Sequence, residues 1–359
     1  MSLAFQSLDV PAFCDMHVHF RQDRFVEQYA PWTARSCAWA LAMPNTIPPI
    51  LNAYVAEAYR RRIEAAGDGR CQVIPAIKLA MDNLPMVGDR AGLPLDRPLV
   101  YKVYPTGVTH NSERGMDADL FTRLPLAGTP LALAFAKLAE HEAVLCLHPE
   151  LPGPGVLFRE ERFFTTPLVR WLLTEAPFRV VFEHLSTAAA VDAVREAYHI
   201  RSRTNVAATI TLHHLTMTLD DVIGDQVQIH NFCKPVAKLH TDRAALREAV
   251  RSPAFFLGSD SAPHTREGKR DGCAGCFTAP LLAERLVTVL EEAGLLDWLE
   301  GFTSRRALGF YRLAPIARRL CLLRAPERAA ELASLVSRDQ VLEARPWGNG
   351  FPVRWLQTN

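Results

Sequence analysis

The chain of 359 residues is 49% hydrophobic and 22% charged, which is typical of a globular protein with a large core. Its formal net charge of +1 argues against nucleic acid or an anionic membrane as a partner. The eight cysteines are scattered, unlike those of a disulfide-rich secreted domain, and no apolar run approaches the ~20 residues that cross a bilayer. Residues 1–11 lack the features of a signal peptide, so we expect a cytoplasmic protein.

Eight short apolar runs predict β-strands, and helical patterns separate them. The predicted strands cover residues 13–19, 38–43, 71–77, 99–104, 143–148, 179–184, 205–210 and 254–260. Strands that alternate with helices predict a parallel sheet, and the count of eight favours a closed (β/α)8 TIM barrel over an open doubly wound sheet. No glycine-rich phosphate loop follows the first strand, which weakens the nucleotide-binding alternative.

The helices between the strands carry start signals. Thr129 and Thr166 each precede a proline, as an N-cap residue precedes a proline in the first helical turn. Thr187 and Thr241 are predicted to cap two further helices. From about residue 301 the tail is predicted to be helical and then irregular. We therefore expect residues 1–359 to form a single domain, with a barrel at about 12–300 and a C-terminal extension at about 301–359.

Side chains that bind metals follow several of the predicted strands. Active sites of such barrels lie where the strands end, at the C-terminal face. His17 and His19 point the same way in a strand and can share one metal ion, although this pattern alone is a weak signal. A single histidine or aspartate at a strand end has an ordinary structural explanation, but several together indicate a metal centre. The other candidates at strand ends are Lys102, His148, His184 and Asp260.

These residue types suit metal-assisted hydrolysis of an amide. Imidazole and carboxylate ligands suit Zn²⁺, whose catalytic sites keep a position open for water. Two close ions would need a bridging anion, which Lys102 could become by reacting with CO₂ to form a carbamate. A hydroxide that bridges the ions would attack a carbonyl polarised by one of them. Asp260 would take the proton of that hydroxide and pass it to the leaving nitrogen.

Five short stretches carry a resemblance to a known family. They are DMHVHFR at 15–21, MPNTIPP at 43–49, KVYP at 102–105, EHLST at 183–187 and GSDSAPH at 258–264. Together they resemble the amidohydrolase superfamily, and specifically the dihydroorotases of the compact bacterial type. The sequence CAGCF at 273–277 follows in the order of that family. The resemblance runs from about residue 10 to about residue 312 and is weaker in the tail.

The resemblance implies a binuclear zinc centre and a cyclic amide hydrolase. The reaction would be the reversible ring closure of N-carbamoyl-L-aspartate to L-dihydroorotate in pyrimidine synthesis, and the resemblance also implies a homodimer. The implied ligands are His17, His19 and Asp260 for the first zinc and His148 and His184 for the second, with N6-carboxylated Lys102 as the bridge.

The same resemblance implies the residues that hold the substrate. Arg21, Asn45 and His264 would bind its carboxylate, with the main chain near Ala274 assisting. The planar fork of an arginine matches the two oxygens of a carboxylate. Thr109 corresponds to a mobile loop that closes over the substrate in relatives, where it would exclude water.

A few positions depart from the family pattern or invite another interpretation. His110 stands where a second threonine is usual, which leaves the contacts of the mobile loop open. Lys234 stands where an apolar residue can occur, and either an anion contact or an ordinary surface lysine is consistent with the sequence. Cys273 and Cys276 have the spacing of a redox or zinc motif, but without a second pair at suitable spacing we do not expect that role.

Two other functions are compatible with parts of the pattern. Hydantoinases, dihydropyrimidinases and allantoinases share the metal ligands, but they usually carry a longer N-terminal segment that forms a β-sandwich, and His17 comes too early for one. Arg21 and Asn45 also indicate a substrate whose ring carries a carboxylate. A catalytically inactive barrel that serves as a scaffold would have lost ligands, and this chain retains all six.

Overall fold

The computed structural model describes residues 7–108, 114–337, 343–348 and 350–358, and within them the chain forms twelve β-strands and thirteen α-helices. The strands are β1 (Ser7–Pro11), β2 (Phe13–Val18), β3 (Cys37–Ala42), β4 (Gln72–Pro75), β5 (Ile77–Lys78), β6 (Val100–Val103), β7 (Val144–Leu147), β8 (Arg179–Phe182), β9 (Val206–Ile210), β10 (Phe255–Leu257), β11 (Arg319–Arg324) and β12 (Trp355–Gln357). The helices are α1 (Arg24–Ser36), α2 (Ala53–Ala66), α3 (Pro130–Glu140), α4 (Arg159–Phe164), α5 (Pro167–Thr174), α6 (Ala188–Arg195), α7 (Leu212–Thr216), α8 (Asp220–Ile223), α9 (His240–Ala249), α10 (Arg266–Arg270), α11 (Leu282–Glu292), α12 (Arg306–Tyr311) and α13 (Pro326–Ser337).

The parallel strands close into the predicted (β/α)8 barrel. Strands β2, β3 and β4 form one parallel sheet and β5 to β10 another, each in chain order. β4 and β5 are halves of one barrel strand, because Ala76 between them donates its N–H to Ala42 O of β3 at 2.9 Å, while Ile77 pairs with Tyr101 of β6. The last strand then meets the first, where Asp260 N–H donates to His17 O at 2.9 Å.

Inside the barrel, apolar side chains fill the end opposite the ligands. They alternate along the strands with side chains that face the surrounding helices, as the pleat of a strand requires. Tyr311 of α12 packs against this group, with its hydroxyl 3.7 Å from Cys146 Sγ. The inward-facing members are Cys14, Met16, Trp39, Leu41, Met43, Ile74, Ala76, Val100, Val144, Cys146, Val181, Ala207 and Phe256.

The threonine caps form in part. The hydroxyls of Thr129 and Thr187 accept a hydrogen bond from the N–H three residues later, at 3.4 and 3.3 Å. Thr166 precedes α5 as predicted, but its hydroxyl donates to the preceding turn instead of capping the helix. The prediction for Thr241 was wrong. Helix α9 begins at His240, so Thr241 lies inside its first turn. The Asp242 carboxylate accepts the N–H of Leu239, the residue before the helix, at 3.1 Å.

The C-terminal tail contains two strands that the sequence analysis missed. β11 pairs antiparallel with β1, and β12 pairs antiparallel with β11, so a three-stranded sheet joins the two ends of the described chain. Arg354 N–H donates to Thr288 Oγ1 of α11 at 2.9 Å, which fixes this sheet beside the barrel helices. Within the described ranges, none of the helices combines the length and the apolar character that crossing a bilayer requires.

Candidate active site

A pocket opens where the barrel strands end, and it contains most of the predicted site residues. Lys102 is fully buried beneath it and does not line it. Thr109, together with the neighbouring His110, lies outside the described residues. The lining residues are His17, His19, Arg21, Asn45, Tyr104, His148, His184, Lys234, Asp260, Ala262, His264, Ala274 and Gly275.

One part of the pocket is built from four histidines, His17, His19, His148 and His184, and is called the imidazole side. His17 Nε2 lies 3.2 Å from His19 Nε2, and Asp260 Oδ1 lies 3.3 Å and 3.1 Å from these two atoms. These three atoms can converge on one metal ion, since each offers a lone pair.

Two neighbouring side chains fix the orientation of these imidazoles. Asn45 Oδ1 lies 2.7 Å from His19 Nδ1, so that nitrogen donates the hydrogen bond and Nε2 keeps its lone pair. Glu150 Oε2 lies 2.9 Å from His148 Nε2, so that nitrogen donates the hydrogen bond and Nδ1 of His148 keeps its lone pair. Glu150 is fully buried and was not predicted, although it follows His148 by only two residues.

The four imidazoles form a continuous row. Ring centroids are 5.2 Å apart for His17 and His19, 4.9 Å for His17 and His184, and 4.7 Å for His148 and His184. His184 Nδ1 is buried without a hydrogen-bond partner among the described residues. A buried polar atom of this kind costs free energy unless something binds it, which fits a second metal position at this end of the row.

Irregular backbone brings these ligands into the barrel. The pairing of β2 with β3 shifts register between Asp15 and Val18, as at a β-bulge, and without this extra residue Met16 and His17 would face opposite sides. His184 and Asp260 have φ of 41° and 45°, in the left-handed region that costs a non-glycine residue about 1–3 kcal/mol. Such strain persists where the surrounding structure enforces it, and it clusters at functional sites.

Lys102 lies below the row, beside a carboxylate that the sequence analysis missed. Its Nζ contacts Glu183 Oε2, and the same oxygen lies 3.1 Å from His17 Nδ1. Glu183 is fully buried. Its position was readable from the sequence, because Val181 faces the barrel interior and the residue two places later in a strand faces the same way.

Burial keeps the histidines of the imidazole side neutral. It lowers the pKa of His17 and His184 well below the usual value, and the nearby Lys102 or other histidines act in the same direction. Burial also lowers the pKa of Lys102 to about 7, against the opposing charges of Cys146 and Asp260. Neutral imidazole and amine nitrogens carry the lone pairs that metal binding and carbamate formation need.

The opposite part of the pocket contains Arg21, Lys234, His264 and Ala274 and is called the anion side. Arg21 Nη2 lies 2.8 Å from His264 Nε2, which is itself 3.0 Å from Ala274 O. Arg21 Nε donates to Pro263 O at 2.7 Å. Burial lowers the pKa of Arg21 and of Lys234.

Among the described side chains, no carboxylate lies at ion-pair distance from the Arg21 guanidinium. Arg21 is nevertheless held in place at its side chain and at its main chain. The guanidinium Nε donates to Pro263 O in the loop after β10, and the carbonyl oxygen of Arg21 accepts from Tyr59 Oη at 2.6 Å. Arg21 is half-buried, and partial burial of a cation without a paired carboxylate costs free energy, so the anion side is suited to binding an anionic group from outside the chain.

A closed (β/α)8 barrel with imidazole and carboxylate ligands converging at its C-terminal face defines a metal-dependent amidohydrolase. The dihydroorotase of Pseudoalteromonas atlantica is 35% identical over 350 residues, which cover 95% of this chain and 96% of that protein. The dihydroorotase of Azoarcus sp. is 38% identical over 320 residues, with 86% and 88% covered. The chain belongs to the dihydroorotase family and is a cyclic amide hydrolase.

Solved structures agree with this assignment. The dihydroorotase of Saccharomyces cerevisiae in complex with 5-fluoroorotic acid has a TM-score of 0.83 and 29% identity, with 98% of each chain covered. The L-hydantoinase of Arthrobacter aurescens has a TM-score of 0.72 but 16% identity, which shows a shared fold alone. No protein-family model matches the chain.

Proposed function

We propose that this protein interconverts N-carbamoyl-L-aspartate and L-dihydroorotate, using two zinc ions and a carboxylated Lys102. The observation that supports it best is that one pocket combines the imidazole side with a half-buried guanidinium lacking a carboxylate partner at ion-pair distance among the described residues. The first set of groups suits amide hydrolysis, and the second suits a ring that carries a carboxylate.

The donor set suits metal ions, and the resemblance of the sequence to the family leads us to propose two of them at two groups of ligands. His17, His19 and Asp260 would hold one ion, and His148 and His184 the other. When bound, the ions would supply an activated water and polarise the carbonyl of the substrate. The buried Nδ1 of His184, which has no hydrogen-bond partner within the described part of the chain, supports a bound group at the second of these positions.

Lys102 would bridge the two positions after carboxylation. Its lowered pKa leaves a substantial fraction of the amine neutral near pH 7, and the neutral amine adds to CO₂ and releases a proton to give a carbamate. The side chain is fully buried, which would protect the carbamate from hydrolysis. The ion pair between Lys102 and Glu183 would be lost, because a carbamate no longer carries the ammonium charge.

Asp260 would move the proton. Its Oδ1 faces His17 and His19, so Oδ2 can hold the proton taken from the attacking water and deliver it to the leaving ring nitrogen. In the direction of ring closure the same carboxyl group would act in the reverse order. Its left-handed backbone conformation and the pairing of its N–H with His17 O hold it in this position.

The anion side would bind and orient the substrate carboxylate. Arg21 and His264 would contact its two oxygens, with the main chain at Ala274 beside them. Asn45 would contribute its amide N–H₂ group, since its Oδ1 already accepts from His19. Lys234 faces the same pocket and would add a second positive charge.

The remaining parts of the proposal come from the resemblance and the sequence. We propose that Thr109 closes over the bound substrate, that residues 1–359 act as a single domain, and that the protein is a cytoplasmic homodimer acting on a small molecule.

The test is a direct assay of both reaction directions beside hydantoin, dihydrouracil and allantoin. We expect turnover of carbamoyl aspartate and dihydroorotate, inhibition by a chelator, and recovery with Zn²⁺ and bicarbonate. Preferential turnover of hydantoin, dihydrouracil or allantoin would overturn the substrate assignment. A protein that binds less than about one ion per chain and stays inactive after reconstitution would instead be a scaffold.

The bridging role of Lys102 has its own test. The Lys102→Ala variant should bind fewer metal ions and lose activity by a factor of about 10² or more, since a bridging ligand and its charge are removed. Added short-chain carboxylic acids should restore part of the activity by occupying the vacated space. Lys137→Ala, at a surface lysine that contacts Pro85 O, is the matched control and should behave like the wild type.

A further inference from the structure

A second group of metal-ligating side chains lies outside the active site. His213, Cys233 and Cys276 are fully buried, and their ligand atoms all lie within 4.8 Å of one another. They do not line the pocket, but two of them adjoin it in sequence. Cys233 immediately precedes the pocket residue Lys234, and Cys276 immediately follows the pocket residue Gly275.

His213 is the unusual member of this group. Neither of its ring nitrogens has a hydrogen-bond partner among the described residues, although the side chain is 0% exposed. Burial lowers its pKa well below the usual value, so the ring is neutral and carries both an unpaired N–H and an unpaired lone pair. Leaving such groups unsatisfied costs about 1–3 kcal/mol each.

The adjacent His214 shows what a structural histidine looks like at the same place. Its Nδ1 lies 2.9 Å from Thr211 Oγ1, and its Nε2 lies 2.9 Å from Pro235 O. Since a carbonyl oxygen only accepts, Nε2 carries the proton and Nδ1 accepts from the threonine. Both nitrogens are used, so His214 explains the local fold and His213 is left without such a role.

The two thiols face His213 from different loops. Cys233 Sγ lies 3.1 Å from Pro235 O, and Cys276 Sγ lies 3.6 Å from His230 O. Burial raises the pKa of Cys233, so this side chain is a thiol in the metal-free protein. Lys269 Nζ donates to the carbonyl oxygens of the residues just before the two cysteines, at 3.0 and 2.9 Å, and so holds the two loops together.

We propose that His213, Cys233 and Cys276 form a third metal site, separate from the catalytic centre, for a thiophilic divalent cation such as Zn²⁺. Two thiolates and one neutral imidazole balance a charge of +2, which suits a buried position, and a fourth tetrahedral position remains for water. Binding would release the two thiol protons to solvent. It would also join the loops after β9 and β10, which carry Lys234 and Ala274 of the anion side.

The experiment uses the full-length protein, stripped with a chelator and titrated with Co²⁺ in the presence of bicarbonate. Thiolate ligands give Co²⁺ an intense charge-transfer band in the near ultraviolet, which imidazole and carboxylate ligands do not. We expect this band in the wild type, together with one metal equivalent more than in Cys233→Ser or Cys276→Ser, in which the band is lost. Cys71→Ser, at a buried cysteine whose Sγ contacts Gln72 O, is the matched control and should keep the band.

The absence of the band from the wild type at saturating Co²⁺ would overturn the proposal, as would its persistence in both serine variants. If the serine variants fail to fold, the wild-type spectrum and a His213→Gln variant decide, because losing the imidazole should shift the band or lower the affinity at least tenfold. The result is independent of the proposed function. An inactive protein that shows the band would support the third metal site and contradict the proposed function. An active protein without the band would contradict only the third metal site.

Discussion

The two sides of the pocket differ in charge and in the way they are built. The imidazole side consists of neutral groups on or directly after barrel strands, and bulged or left-handed backbone fixes their positions. The anion side consists of cationic and main-chain groups on the loops after β2, β9 and β10. In the proposed function the strands would thus carry the chemistry common to amidohydrolases, while the loops would select the substrate.

The largest effect is expected from Asp260, whose carboxylate contacts His17 and His19 of the imidazole side. Asp260→Asn keeps the shape of the side chain but cannot accept the proton and is a weaker metal ligand. We expect kcat to fall by about 10²–10⁴ for every substrate of the enzyme, the usual contribution of a general acid or base. Asp220→Asn, at an exposed aspartate, serves as the control. Activity within about threefold of the wild type would remove Asp260 from the mechanism.

A smaller and more selective effect is expected on the anion side. Arg21→Ala removes a charged hydrogen bond of about 1.5–3 kcal/mol, so kcat/KM for dihydroorotate should fall about 10- to 100-fold. The rate with a cyclic amide that lacks a carboxylate should change little, and the metal content should stay the same. Arg24 lies three residues after Arg21, is exposed and pairs with Glu343, so Arg24→Ala should leave both rates unaltered. An equal loss with both kinds of substrate would contradict the division of the pocket.

The smallest effect on catalysis is expected from Glu160, which does not line the pocket and contacts the loop behind the imidazole side. Its carboxylate accepts hydrogen bonds from Ser186 N–H at 3.0 Å and from Thr187 Oγ1 at 2.5 Å, in the loop that follows His184. Glu160→Ala would leave these buried donors unpaired, and we expect the free energy of unfolding to drop by about 1–3 kcal/mol. Denaturant unfolding measures the change, with Glu161→Ala as the neighbouring control. Unchanged stability would show that the loop does not depend on this carboxylate.

The barrel and the imidazole side were predictable because strand periodicity carries the information. Side chains two residues apart share a face, so Lys102 could be placed inside the barrel from Val100, and Glu183 could have been placed from Val181. The same reasoning could not reveal the bulge in β2 that turns His17 inward, since a bulge depends on pairing with the neighbouring strand.

Loops and contacts between distant segments were harder to predict from the sequence. His264 and Ala274 entered through the family resemblance, because no local pattern relates them to Arg21. Strand β11 was missed although leucines alternate in it, since a six-residue run in a helical tail is ambiguous by periodicity alone. The group of His213, Cys233 and Cys276 has no recognisable spacing, because three separate segments meet only in the folded chain.

The hydrogen bond between Asp260 and His17 is also the seam at which the barrel closes. Two ligands of the proposed first zinc position are thus contributed by the first and the last strand of the barrel to be synthesised, β2 and β10, and the residues that directly follow β10. A nascent chain that has not yet completed β10 possesses both histidines but lacks their carboxylate partner. Zinc should therefore bind at full affinity only when the fold is complete, and the bound ion would stabilise a barrel that has already closed.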